Sequence, residues 1–405
     1  MTTKIETVFP PLNKEAREVI ENFDKIVQSV QCLSSRQLSQ VPEHIRTLSH
    51  VLTDNRSERR TGYLNETTAL TAYVRYYQWW NLLRLTRLFQ GFSSETFKLP
   101  SKAVCIDLGS GPLTIPIALW LARPDLRHKQ LTWYCVDHSQ RALALGEELF
   151  LAVVARTNGE TDSVCEPWKI IRVRGELGTP IKEPGDFVVC ANVFNEVAES
   201  YDKPPEFTAK RAVTTMGQYA KATASVLVVE PGTPPSARFL TALREALSRK
   251  NYVCVSPCPV GCRNGEEEQE NIFHCPMDGS HGNKWCHFVF STEKAPKALV
   301  RLSETASLSK DRASLSFVFA VPKCIYKEKS TEKGTMFIRI ASEPIALPKN
   351  RVGYYGCSSL GLVLAVSYAE KQKLVLQSGD LIQVDIPVKE KRDYKSGALL
   401  IPYEK

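Results

Sequence analysis

Two stretches of this chain combine residue types and spacings that can do chemistry. The first is A-V-C-I-D-L-G-S-G-P-L-T-I-P-I-A-L-W-L-A, from Ala103 to Ala122. Its apolar start, Ala103 to Leu108, predicts a strand buried on both faces. Asp107 stands near its end, and Gly109, Ser110 and Gly111 form a turn before an apolar segment of helical length. Glycines at such a turn let the backbone approach a ligand closely and adopt torsions that a Cβ would forbid. The helix start also offers unpaired N–H groups, and Pro116 suits the first helical turn, where its missing N–H is least felt. Leu131 to Val136 predicts the next strand, with Asp137 at its tip. There it can accept hydrogen bonds from ribose hydroxyls or cap the helix from Ser139 to about Ala152; the position fits both.

The second stretch runs from Cys254 to His287, where Cys258, Cys262, Cys275 and Cys286 lie in a loop rich in Gly, Pro and charge. Such a loop cannot build an apolar core of its own, so a metal is the expected organiser. Spacing alone leaves tetrahedral zinc and an iron–sulfur cluster open, and the prolines after Cys258 and Cys275 lean toward the cluster. Cys105, Cys135 and Cys190 instead lie inside apolar strands, as core thiols do.

The elements that must position these residues alternate. Strands are expected at Lys169–Val173, Phe187–Ala191, Ser225–Glu230 and Tyr252–Ser256, helices at Pro205–Ala222 and Ser236–Arg249. That alternation predicts an α/β domain with a mostly parallel sheet covered on both faces. Asn192 and Asn195, in C-A-N-V-F-N-E, and Glu230, in V-V-E-P-G-T-P, then fall at the carboxyl edge, where open sheets bind ligands. Ahead of the domain, Lys14 to Val30, Ser35 to Leu52 and Glu66 to Phe89 have helical periodicity. Asn65 would cap the last of these, which carries an aromatic face (Tyr73, Tyr76, Tyr77, Trp80) and Arg75, Arg84 and Arg87. These arginines, with Arg56, Arg59 and Arg60, are either packed and paired or turned to phosphates. After Cys286 a basic helix is expected from Ala295 to Arg312, then Leu315 to Val321 as the last strand of the sheet. From about Thr335 to Asp385 short β-runs predict a small, barrel-like appendage. The expected divisions are 1–95 (helical), 96–325 (α/β, with the Cys-rich loop 254–290) and 326–405 (β-rich).

Composition sets limits. The 405 residues suffice for two or three domains with a real core, and 43% apolar with 24% charged residues is ordinary for a globular protein. No run reaches the apolar length of a membrane span. Glu6 and the lack of an Arg-rich leader favour a bacterial-type cytoplasmic protein, in which twelve cysteines point to metal ligands or inert thiols before disulfides. A net charge of +8 permits a nucleic-acid partner. Asn192-Val193-Phe194-Asn195 lacks the prolines with which amino-directed nucleic-acid methyltransferases grip a flipped base, and no catalytic base declares itself.

The turn D-L-G-S-G resembles the first motif of class I S-adenosylmethionine-dependent methyltransferases. It is not the dinucleotide fingerprint, because Leu113 and Thr114 follow where a third glycine is needed. Over most of its length the chain resembles the Rsm-type methyltransferase-like proteins of the small ribosomal subunit, bacterial and mitochondrial. The shared segments are A-Y-V-R-Y-Y, D-L-G-S-G-P, A-N-V-F-N-E, V-E-P-G-T-P, P-C-P…C-P-M…W-C-H-F and the stretch from Arg339 to Leu364. The resemblance implies a class I methyltransferase-like fold and S-adenosylmethionine held by Asp107, Gly109, Ser110, Gly111, Asp137 and Asn192. It also implies a [4Fe–4S] cluster on Cys258, Cys275, Cys286 and the distant Cys357. The acidic insertion from Cys262 to His274 departs from the family, so Cys262 stays an alternative ligand, and zinc an alternative metal. The implied function is binding of the small subunit and its rRNA by a monomer that assists ribosome biogenesis or translation, with catalysis lost. An active rRNA methyltransferase is the alternative.

Overall fold

The computed structural model describes residues 2–53, 62–158, 164–196, 203–259, 275–278, 284–327, 333–368, 370 and 374–403. Its main sheet is built from the apolar runs. In spatial order the strands are β4 (Lys169–Arg174), β3 (Thr132–Asp137), β2 (Val104–Leu108), β5 (Gly185–Ala191), β6 (Ala220–Glu230), β9 (Arg312–Pro322) and β7 (Tyr252–Ser256). The first five are parallel, and β9 runs antiparallel to both β6 and β7. A short β8 (Phe288–Ser291) pairs with the start of β9. The strand expected last does come last in this sheet along the chain, yet it sits inside it. Leu315 to Pro322 is buried without a break, as an edge strand would not be.

Helices cover both faces. On one side lie α1 (Lys14–Glu21), α2 (Phe23–Val30), α5 (Trp79–Gly91), α6 (Thr114–Ala122) and α7 (Gln140–Asn158), around Trp79, Trp120, Trp133 and Phe187. On the other lie α8 (Pro205–Gly217) and α9 (Pro234–Ser248), packed on Val188, Cys190, Val228 and Val318. Cys105, Cys135 and Cys190 are buried in their strands, and burial pushes each thiol well above its ordinary range. Cys190 is therefore a core residue and no nucleophile.

Several elements differ from the sequence expectation. The region expected to be helical opens with a strand, β1 (Thr3–Thr7), and the first helix is split at Asn22. The second expected run, Ser35 to Leu52, is met by α3 (Ser35–Thr53). The long aromatic helix is three segments in line, α4 (Thr67–Ala72), a π-helical turn Tyr73–Gln78, and α5. Asn65 makes no cap for it; Glu66 holds that position, without a side-chain bond. The basic helix is shortened to α10 (Lys297–Thr305), ending before Ser307, whose φ of 57° is left-handed.

A second sheet has the order β1, β14 (Asp380–Asp385), β10 (Thr335–Ile340), β12 (Arg351–Ser358), β13 (Gly361–Tyr368), β15 (Leu399–Pro402), with β11 (Ile345–Leu347) on β12. It forms a path with two ends, β1 and β15, and encloses its own small core around Ile338, Tyr354 and Ile382. The described part of the K-L-V-L run, 374–376, contributes no strand. Arg339 ties this sheet to the rest. Its buried guanidinium donates to Pro257 O (2.8 Å), Gly379 O (2.8 Å) and Glu6 Oε1 (2.6 Å). One side chain thus joins the first strand, the second sheet and the residue before Cys258.

Candidate functional site

The glycine turn follows β2 at the carboxyl edge of the parallel strands. Gly109 has φ +74° and Gly111 φ +51°, so both use the left-handed region that glycine permits. The amides of the turn are spent on the neighbouring strand. Gly109 N–H (2.8 Å) and Ser110 N–H (3.0 Å) donate to Val136 O, and Gly111 N–H donates to Asp137 Oδ2 (2.9 Å). Asp137 Oδ1 accepts from Ser139 N–H (2.7 Å), while the Ser139 hydroxyl accepts from Ala142 N–H and caps α7. Asp137 therefore ties the turn to the helix after β3, and each of its oxygens retains a lone pair for a hydroxyl.

Asp107 is buried beneath the turn, and its Oδ2 has no hydrogen-bond partner. Burial raises its carboxyl to about 7, while a bond from Ser110 lowers it and the charge of Asp137 raises it. An unsatisfied buried carboxylate is costly unless a ligand or a proton completes it. The unfolded carboxyl titrates near 3.8, so the folded state holds its proton more tightly. The stability from this proton is fully present below that value and is lost as pH rises through about 7. Asp107→Asn should flatten this decline in denaturant unfolding followed across that range; an unchanged pH profile would show that Asp107 is not the group responsible.

The loop after β5 closes the site from the other side. Asn192 is left-handed (φ 58°) and donates its N–H to Val229 O (2.8 Å). Val193 packs directly on the turn, for a Cβ built on Gly109 would lie 2.5 Å from its Cγ2. Phe194 turns into the core against Phe239, ring centroids 5.1 Å apart, so it offers no face for stacking a base. Glu230, at the end of β6, holds this loop. Its carboxylate accepts from Phe194 N–H (2.9 Å) and Asn195 N–H (3.1 Å), and burial raises it to about 8.

The π-helical turn brings Tyr73 over the same edge. Its hydroxyl is pushed up by burial and then by the charges of Glu196 and Asp137, with Arg84 and Asn81 acting the other way. Nothing in the alternation of residues 66–89 distinguishes a π-helical turn from an α-helix, although such turns recur at functional sites. Of the arginines on this helix, Arg75 bonds Gln28 and Gln31 O, and Arg87 bonds the Phe9 and Pro10 carbonyls. They are packed. Arg56, Arg59 and Arg60 lie outside the described residues.

The cysteines converge elsewhere, where the main sheet meets the second one. Cys258 follows β7, Cys286 precedes β8 and Cys357 lies on β12 opposite Arg339. Cys286 and Cys357 are pushed upward by burial and then by other thiols, Cys275 first in each case and Cys258 in both, with Cys357 also acting on Cys286. Arg244, itself buried, donates Nη1 to Cys258 Sγ at 2.8 Å. Cys258 and Cys275 are buried and Cys286 and Cys357 half-buried; thiols beside a guanidinium suit a group that takes thiolates and carries net negative charge. Among the described residues no three potential ligands already stand at metal-binding spacing. Cys262 and the insertion to His274 lie outside those residues. The adjacent Trp285 and His287 stack on each other (4.7 Å), and Trp285 Nε1 donates to Gly232 O (3.0 Å), linking the thiol region to the end of β6.

A parallel sheet with one antiparallel strand inserted before its last, and a glycine turn after the middle one of its five adjacent parallel strands, defines a class I methyltransferase-like domain. The chain belongs to the mitochondrial small ribosomal subunit Rsm22 family, whose model matches residues 93–351. No curated protein matches it. Solved structures with some similarity include a ribosomal protein L11 methylase from Lactobacillus delbrueckii subsp. bulgaricus, 15% identical over 43% of this chain and 70% of that one (TM-score 0.29). CalO1, a methyltransferase of calicheamicin biosynthesis in its SAH-bound form, is 12% identical over 77% of this chain and 73% of its own (TM-score 0.31). Likeness at that level adds nothing to the strand order, which carries the fold assignment.

Proposed function

We propose that the protein binds S-adenosylmethionine at the turn Asp107–Gly111 and works as a monomeric factor on the small ribosomal subunit, in contact with its rRNA. The observation that carries this reading is the unsatisfied buried carboxylate of Asp107 under a glycine turn, in a chain of a small-subunit family. When bound, the cofactor supplies an electrophilic methyl group. Gly109 and Gly111 leave the backbone open to it, Asp137 accepts from its ribose hydroxyls, and Ser110 and Asn192 border it. Cys258, Cys275, Cys286 and Cys357 hold a [4Fe–4S] cluster, with Arg244 offsetting its charge. The cluster fastens the second sheet to the first.

Assistance in assembly is favoured over catalysis by Phe194, which faces the core where a base-gripping enzyme presents an aromatic ring. Incubation with methyl-labelled cofactor and immature small subunits separates the two. Co-sedimentation without label in rRNA is the expected outcome; label in rRNA would make the protein an active methyltransferase. Failure to co-sediment would remove the ribosomal assignment.

A further inference from the structure

Two basic side chains, Arg84 and Lys310, lie at the helical segment that carries Tyr76 and Trp80, and among the described residues neither is paired with a carboxylate. Arg84, half-buried on α5, donates Nη1 to Ser314 O (2.7 Å) and Nη2 to the Asn81 side-chain oxygen. The Lys310 ammonium lies over the rings of Tyr76 (5.3 Å) and Trp80 (5.7 Å), close enough for the charge of Arg84 to act on it. Among the described residues every partner of this pair is a carbonyl, an amide or an aromatic ring. Burial lowers the Arg84 guanidinium to about 10, which leaves it charged at neutral pH. Keeping two like charges in a crevice costs Coulomb energy that an anion between them would reverse.

We propose that Arg84 and Lys310 form a binding site for a backbone phosphate of RNA, on the acceptor side of the cofactor turn. This rests on the proposed function and names the contact through which the RNA is held. Tyr73, on the same helical run, lies between the two places, for its hydroxyl feels Glu196 and Asp137 at the turn and the charge of Arg84. A guanidinium fork and a point-like ammonium are the pair that suits a phosphodiester, and the aromatic rings under Lys310 fix its stem in advance. Lys310 is reached from solvent, yet its ammonium packs on the two rings, and burial followed by the Arg84 charge lowers it to about 7; a phosphate bound beside it would hold it charged. The half-exposed stacked pair Tyr73–Tyr77 (5.7 Å), on the helical run that carries Arg84, favours RNA over an acidic protein because it offers a planar platform to a base.

The test is anisotropy of a short fluorescent single-stranded RNA with the full chain, titrated with salt. Lys310→Gln should weaken binding by about three- to fivefold, the scale of one exposed charge contact. It should also reduce the salt slope by about 0.7. Lys310→Arg should restore both, with cofactor affinity and melting temperature unchanged throughout. Arg84→Met should act in the same direction, and the exposed Lys310 keeps the test clear if that variant folds poorly. Unchanged affinity and slope in Lys310→Gln, with wild-type binding intact, would overturn this site alone. A wild type that binds no RNA would overturn the rRNA contact as well. Loss of affinity for polyglutamate but not for RNA would assign the pair to an acidic protein instead, and the proposal would fall.

Discussion

Gly109→Val is expected to abolish S-adenosylmethionine binding. Two effects act together. Gly109 has φ +74°, a conformation that a β-branched residue adopts only under strain. A Cβ there would also stand 2.5 Å from Val193 Cγ2, so the loop from Asn192 to Asn195 must move away from the turn it closes. Gly109→Ala tests the two separately. Paired with Val193→Ala, it should regain part of the affinity, because the clash is relieved while the torsional cost stays. Asp137→Ala should weaken binding less, by roughly 1.5–3 kcal/mol, through the loss of a charged acceptor. Calorimetry showing wild-type affinity in both Gly109→Val and Asp137→Ala would place the cofactor somewhere else.

Cys357→Ser is expected to strip the metal while leaving a folded protein. A cluster joining Cys258, Cys275 and Cys286 to Cys357 closes a long chain segment, so its loss should lower the melting temperature and make the loop protease-sensitive. The second sheet should stay attached, for Arg339 still binds Pro257 O, Gly379 O and Glu6, and β1 still pairs with β14. The protein purified without oxygen should be brown, bleach in air, and lose iron and sulfide together in Cys357→Ser. Cys262→Ser is the control and should keep both. Colourless protein with stoichiometric zinc, indifferent to Cys357→Ser, would show that both metal and ligands are wrongly assigned.

The main sheet was legible because its strands are buried on both faces, and continuous apolar runs such as Val104–Leu108 leave little choice of structure. The glycine turn was legible because its residue types are tied to torsions. What escaped depended on contacts between distant segments. Thr3–Thr7 is polar and largely exposed, so only its pairing with β14 makes it a strand. Glu230 reads as the end of a strand at the ligand-binding edge, yet its carboxylate clamps the amides of Phe194 and Asn195, some 35 residues away in sequence. From the sequence Asp137 is a ribose acceptor or a cap, and its bonds to Gly111 and Ser139 hold the turn against α7. Arg339 lies in an ordinary β-run, M-F-I-R-I, and nothing local marks it as the residue on which three segments meet.

The most direct test of the account is equilibrium dialysis of the wild-type chain, purified without oxygen, against labelled S-adenosylmethionine. Saturable binding of one cofactor per chain, displaced by unlabelled S-adenosylhomocysteine, is the predicted result. No saturable binding by a chain that retains its cooperative unfolding transition would contradict it.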